Sequence, residues 1–138
     1  MSNLYRFGVS LERQLIDDFD KHIKSLNYKN RSEAIRDLIR DALVKKQWLC
    51  DNEVAGAITM NYDHHKRELV NKLLDIQHDY QNIIISSQHV HIDHHNCLEI
   101  IAVKGKARNV ETLASKLKSQ KGVKHLSLSM STTGKSLK

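Results

Sequence analysis

The sequence predicts an α+β chain of two small modules, β-α-α followed by βαββαβ. Three observations predict it: an alternating apolar stretch at the start, two helical stripes reaching residue 50, and, after a polar break, a second succession of strand and helix patterns. With 138 residues and 40% hydrophobic content, the chain can bury one ordinary core or two small ones. Modules this small commonly lean on copies of themselves.

In YRFGVSL, Tyr5, Phe7, Val9 and Leu11 alternate with Arg6, Gly8 and Ser10, the period of a half-buried strand. Ser10 is the expected N-cap of a helix whose stripe is Leu11, Leu15, Ile16, Phe19, Ile23 and Leu26, ended by the polar NYKN. Asn30 caps the next helix, Glu33 at the third helical position can reach back to the cap, and Ala34, Ile35, Leu38, Ile39, Ala42 and Leu43 supply the stripe. The strand has no partner inside residues 1–50, and unpaired backbone groups on a short strand are unstable and sticky. It must therefore pair with the strand of a second chain. The resulting antiparallel ribbon repeats Arg6, Gly8 and Ser10 on its outer face and has the width of the major groove of B-DNA, where Arg bonds guanine and Ser bonds base edges.

Residues 51–53 read as a linker. Val54 to Tyr62 reads as a strand, and Asp63 as the cap of a helix with Leu69, Val70, Leu73 and Leu74 inward. NIIISSQHVHI from Asn82 is the next strand, DHHN a turn and CLEIIAVK another strand. Asn109 opens a helix carrying Val110, Leu113, Ala114 and Leu117, Gly122 closes it, and Leu126, Leu128 and Met130 alternate in a last strand. This order is the ferredoxin-like split repeat, expected over residues 54–132, with 133–138 as a frayed tail.

The net charge of +6 and pI near 9.4 suit an acidic partner such as DNA. Lys plus Arg against Asp plus Glu is 10 to 7 in residues 1–50 and 12 to 9 in the remainder, so the excess is +3 in each part. Pattern, not bulk charge, points to the ribbon as the reader. No apolar run approaches the roughly 20 residues that span a bilayer, and the start has no apolar signal segment, so a cytoplasmic protein without a membrane partner is expected. Cys50 and Cys97 should then stay reduced, Cys97 as a candidate ligand and Cys50 as a small buried or interface residue. No enzyme is expected, since the sequence has no Ser/His/Asp set and no phosphate loop.

Seven of the nine histidines fall between His64 and His95. In HVHIDHHNC, His89 and His91 point to the same side of a strand about 7 Å apart, and the turn returns the chain so that Cys97 begins the neighbouring strand near His91. His78 ends the preceding helix, able to reach a site, though not necessarily the one in its own chain. Three imidazoles and one thiolate make four donors, which suit Ni(II) or Cu(II) if planar and Zn(II) if tetrahedral. His94 and His95 occupy the turn, as solvent-facing side chains or weak secondary ligands. Tyr62 and His64 are placed to touch the ligands rather than an ion, and His65 stands beside them.

On the motifs NRSEAIRD at 30–37, HKREL at 65–69, QH at 77–78 and HVHIDHHNCLEI at 89–100, the chain resembles the nickel-responsive transcriptional regulators. These are ribbon-helix-helix repressors with an ACT-like metal-sensing domain, and the resemblance covers nearly the whole chain. It implies planar Ni(II), one per subunit, bound by His89, His91 and Cys97 of one subunit and His78 of another. It implies a homotetramer, a dimer of dimers joined through the ACT-like domains, that binds a palindromic double-stranded operator of nickel-uptake or nickel-dependent genes when nickel is bound. It further implies a second cation, potassium, at Glu33 and Asp37. Their i, i+4 spacing puts both carboxylates on one helix face, whereas read alone Glu33 completes a cap and Asp37 is a surface acid.

Gly8 stands where the family carries a hydroxyl residue, so Arg6 and Ser10 are left with the base contacts and the operator can differ. Phosphate anchoring falls to the helix N-terminus at Asn30, Arg31 and Ser32 and to Lys66 and Arg67. Two other readings fit parts of the chain. One is a metal-buffering or carrier protein whose ribbon only dimerises, which Arg6 and Ser10 on the exposed ribbon face oppose. The other is a regulator sensing another transition metal or a small molecule, and the histidine cluster opposes the small molecule.

Overall fold

The alternating N-terminal residues make no strand in the single chain. In the computed structural model, which describes residues 3–138, residues 3–12 belong to no helix or strand, and Tyr5, Phe7, Val9 and Leu11 stand exposed. The strand expected over 5–11 is missing because a ladder needs a second backbone and this module offers none. Helix α1 (Arg13–Ser25) starts after Glu12, whose backbone is still extended and whose side chain makes no capping bond, so Ser10 is not the cap. Helix α2 (Arg31–Leu49) starts as expected, with Asn30 Oδ1 accepting the Glu33 N–H at 2.9 Å. Of the two apolar stripes only Ile23 and Ala34 are buried, while Leu15, Leu38, Ile39 and Leu43 remain exposed.

The chain forms two compact units that divide between Arg40 and Asp41, inside α2. The C-terminal half of α2 belongs to the second unit, where Trp48 is buried and its Nε1 donates to the Ser131 carbonyl at 2.9 Å. Gly56 makes room for this arrangement. A Cβ at that position would stand 2.6 Å from the Ser129 carbonyl and 3.5 Å from the Trp48 ring.

The second unit runs β1 (Glu53–Tyr62), α3 (Arg67–Asp79), β2 (Ile84–Asp93), β3 (Asn96–Lys106), α4 (Ala107–Lys118) and β4 (Val123–Met130). The strands form one antiparallel sheet in the order β2-β3-β1-β4, the ferredoxin-like arrangement expected from the pattern. On one face Ile58 lies opposite Ile101, Met60 opposite Glu99 and Tyr62 opposite Cys97. Leu69 and Leu73 of α3 and Val110, Leu113, Ala114 and Leu117 of α4 complete the core over that face. Strand β2 lies at the sheet edge and is mostly exposed.

Several local expectations are corrected. Asp63 does not cap α3, whose N-cap position is Lys66; its carboxylate instead closes a tight turn on the His65 N–H. Asn109 does not open α4, which follows β3 directly from Ala107, and the Asp51 carboxylate accepts the Arg108 N–H at 2.9 Å in place of a local cap. Leu74 points outward, and Cys50 is exposed. The tail is tied down by Thr132 Oγ1 to Gln47 Oε1 at 3.0 Å and Gln47 Nε2 to Ser136 Oγ at 2.9 Å. Among the described residues no helix is long and apolar enough to cross a membrane.

Candidate metal centre and nucleic-acid interface

The β2–β3 hairpin gathers three of the expected donors. Its register sets His91 opposite Cys97 and His89 opposite Glu99. Directly opposed residues project to the same face with Cβ atoms about 4.5–5.5 Å apart, so the two imidazoles, the thiol and the carboxylate share the helix-bearing face. A bulge follows His91, where Ile92 has no opposite residue before Asp93 pairs with Asn96. On the other side of β3, β1 brings Tyr62 opposite Cys97.

Glu99 is the residue the sequence reading missed, and it is the one buried charged side chain among the described residues, at 1% exposure. Its Oε1 accepts the Tyr62 hydroxyl at 2.6 Å and lies 3.7 Å from His89 Nε2. Its Oε2 is buried with no hydrogen-bond partner. Burial, then the bond to Glu99, pushes the Tyr62 phenol far up, so it remains a donor. Withdrawing a carboxylate from water costs several kcal/mol unless charge or hydrogen bonds compensate it, so an orphan oxygen beside imidazoles fits a position next to a cation. The alternation that buries Cys97 and Ile101 also places Glu99 inward, and an acid in that phase was the available signal.

Cys97 is 1% exposed, and burial pushes its thiol up, with hydrogen bonding to Tyr62 only partly opposing this. Near neutral pH the thiol keeps its proton until a cation displaces it. A buried thiol, two half-open imidazoles and a carboxylate with an unpaired oxygen fit a borderline divalent ion.

His78 lies in the last turn of α3 and is exposed. The triads of donor atoms within 4.8 Å of one another are His65, His94, His95 and Asp63, His64, His65. His78, His89, His91 and Cys97 thus do not close into one ligand shell in the single chain. Both supporting residues meet an expected ligand: the Tyr62 hydroxyl lies 3.5 Å from His89 Nδ1, and the His64 ring stands edge-on to His91 at 4.7 Å. Burial and the neighbouring His65 and His91 hold His64 below the usual imidazole range, and its buried Nδ1 has no partner.

The expected DNA contacts are distributed over both units. Arg6, Gly8 and Ser10 are exposed in the N-terminal segment, and Ser32 is exposed in the first turn of α2. Arg31 is committed to Asp20 through Nε at 2.8 Å and Nη2 at 2.7 Å, which leaves its backbone amide as the group a phosphate can use. Lys66 and Arg67 are exposed at the start of α3. At the expected second-cation position, Asp37 accepts the Tyr28 hydroxyl at 2.7 Å and lies 3.5 Å from Arg40, with Glu33 half-buried one turn earlier.

Residues 55–131 match the sequence profile of the NikR C-terminal nickel-binding domain, and residues 5–46 match that of the ribbon-helix-helix proteins of the copG family. A relative in Chlorobium limicola assigned as a nickel-responsive regulator is 69% identical over 134 residues, covering 97% of this chain and 100% of its own. One in Pyrococcus furiosus with the same assignment is 53% identical over 135 residues, 97% and 98% of the two chains. An uncharacterized protein of Thermotoga maritima superposes with a TM-score of 0.51 at 12% identity, over 56% of this chain and 95% of that one, a likeness of fold alone. Matched in both halves and related along nearly its whole length, the chain belongs to the nickel-responsive regulator family.

Proposed function

We propose that the chain is a nickel-dependent repressor in which His89, His91 and Cys97 of one subunit and His78 of another hold one Ni(II), and that metal binding favours operator binding by paired N-terminal ribbons. The observation that carries this reading is the hairpin register: it puts two imidazoles and a buried thiol on one sheet face beside the Tyr62–Glu99 pair. The exposed site of His78, apart from that group in its own chain, supports donation to a neighbour. A dimeric reader is supported by Tyr5, Phe7, Val9 and Leu15, all exposed in a unit that buries only Ile23 and Ala34 among its described hydrophobic residues. Two such dimers joined through the second units make the proposed homotetramer, and a palindromic duplex matches its symmetry.

In this reading the bound ion supplies the bond that links subunits, and the chain supplies the rest. Cys97 gives up its proton, Tyr62 and Glu99 hold His89 in place, and His64 packs on His91. Arg6 and Ser10 read base edges, and the amides at Asn30, Arg31 and Ser32 with Lys66 and Arg67 hold phosphates. A potassium ion at Glu33 and Asp37 would displace Arg40 and Tyr28 from Asp37. The test is an absorption titration with nickel beside operator binding at fixed salt. Thiolate charge-transfer bands that saturate at one ion per subunit, together with nickel-dependent retention of operator, are expected. Unchanged operator affinity with and without nickel would refute the repressor and favour a metal buffer.

A further inference from the structure

Two β-bulges meet at the end of the sheet that carries Cys97. In β2 the bulge leaves Ile92 without an opposite residue on β3. In β4 a second leaves Lys124 without one on β1, where Asn61 pairs with His125 and Tyr62 with Val123. Between the two bulges runs one row of paired residues, Val123, Tyr62, Cys97 and His91. A bulge bends its strand and re-aims a side chain, and Lys124 uses this: its Nζ reaches across the end of β1 to donate to Asn96 Oδ1. Asn96 Nδ2 in turn donates to Asp93 Oδ1 at 2.9 Å and Oδ2 at 3.0 Å. The same carboxylate accepts the His95 N–H at 2.9 Å.

The bulge in β2 decides which face carries the imidazoles. Asp93 pairs with Asn96 across the turn, and without the extra residue Ile92 would fall opposite Cys97 and His91 opposite Leu98. His89 and His91 would then leave the face that holds the buried thiol. Hydrogen bonds on an exposed turn ordinarily add little stability, but this network grips the hairpin at the step where its register shifts. A lysine only donates and a carboxylate only accepts, so a single orientation of the Asn96 amide serves both neighbours. Asn61 holds the next residue, its Nδ2 donating to the Cys97 carbonyl at 3.1 Å.

We infer that Asn96 is a positioning residue for the metal centre. Tied to Lys124 on one side and Asp93 on the other, it holds the β2 bulge and so keeps His89 and His91 on the Cys97 face. The inference rests on the hairpin donors of the proposed function, and Asn96 itself touches no ion. Without its hold the hairpin exchanges into the register that lacks the bulge. Nickel then meets aligned donors in only a fraction of the molecules, and its apparent affinity falls by that fraction.

The test compares full-length protein without a histidine tag with two variants. One is Asn96→Ala. The other is the exchange pair Asp93→Asn with Asn96→Asp, which swaps amide and carboxylate so that the new carboxylate meets Lys124 and the new amide oxygen still meets the His95 N–H. Asn96→Ala should raise the nickel Kd about 10–100-fold, the range for residues that orient ligands, and weaken the thiolate charge-transfer band per ion bound. Its far-ultraviolet circular dichroism should not change, and the exchange pair should restore both nickel readouts. In metal-free protein, cross-strand backbone NOEs should pair His91 with Cys97, and in Asn96→Ala a second set should pair Ile92 with Cys97. Unaltered affinity, band and NOEs in Asn96→Ala overturn the inference, as does an exchange pair that recovers none of them. Should Asn96→Ala misfold, Lys124→Met drops the ammonium and keeps the stem, and unaltered values in that variant reject the inference. A wild-type protein that shows no thiolate band with nickel refutes the four-donor reading instead, and the metal-free NOEs still decide the register.

Discussion

Nickel affinity should rise with pH as one proton leaves Cys97 for each ion bound. Burial holds this thiol above its ordinary range, so between pH 7.5 and 8.5 the thiol of the free site is mostly protonated. Each pH unit below the thiol's pKa then costs about 1.4 kcal/mol, so the apparent Kd should fall about tenfold across that window. Competition against a chelator of known pH dependence gives the slope. Calorimetry in two buffers of different ionisation enthalpy should return close to one proton released per ion at pH 8. A flat affinity with no proton released would show that Cys97 is not a donor or is already a thiolate, and would refute the reasoning. The same shift has a consequence without metal: a thiol raised in the folded state binds its proton longer than in the unfolded chain. Stability is therefore unaffected below the unfolded thiol's range and declines as pH rises through it.

Arg6→Ala should lower affinity for a specific operator by about 1–3 kcal/mol and leave a scrambled duplex nearly unaffected, whereas Lys66→Ala should weaken both alike and reduce the salt slope, as fluorescence anisotropy at several salt concentrations can show. Nickel and operator should tighten each other's binding by the same factor, of the order of 5–150-fold, and His78→Ala should reduce that factor while leaving non-specific binding intact. Gly56→Ala should destabilise the second unit by about 1–3 kcal/mol in urea titrations, because its Cβ meets the Ser129 carbonyl at 2.6 Å and the indole behind it.

The parts of the fold set by periodicity were legible in the sequence. The alternation through Ile58, Met60 and Tyr62 and the stripe through Val110, Leu113 and Leu117 define faces that the structure buries. Helix starts were less legible, because the groups that occupy them come from afar: Asp51 reaches the amide of Arg108 across a long stretch of sequence. Sequence spacing placed His89 and His91 on one face, but that Cys97 shares it follows from the bulge at Ile92, since an unbroken two-residue turn would set Cys97 opposite Ile92. It did not disclose Glu99, whose role rests on burial beside Tyr62, a partner from another strand. The N-terminal alternation predicts a strand that the single chain does not form, because a ladder needs a second backbone and the first unit offers none among its described residues.

Trp48 is the sole tryptophan, and although its helix begins in the first unit, its indole is buried in the second. Its emission is therefore a native optical reporter of one unit only. Denaturant melts followed by tryptophan fluorescence trace the opening of the sheet and say nothing about α1, while far-ultraviolet circular dichroism sums both. If the units unfold separately, the two signals will part, and a melting point taken from fluorescence alone will belong to the sensing half.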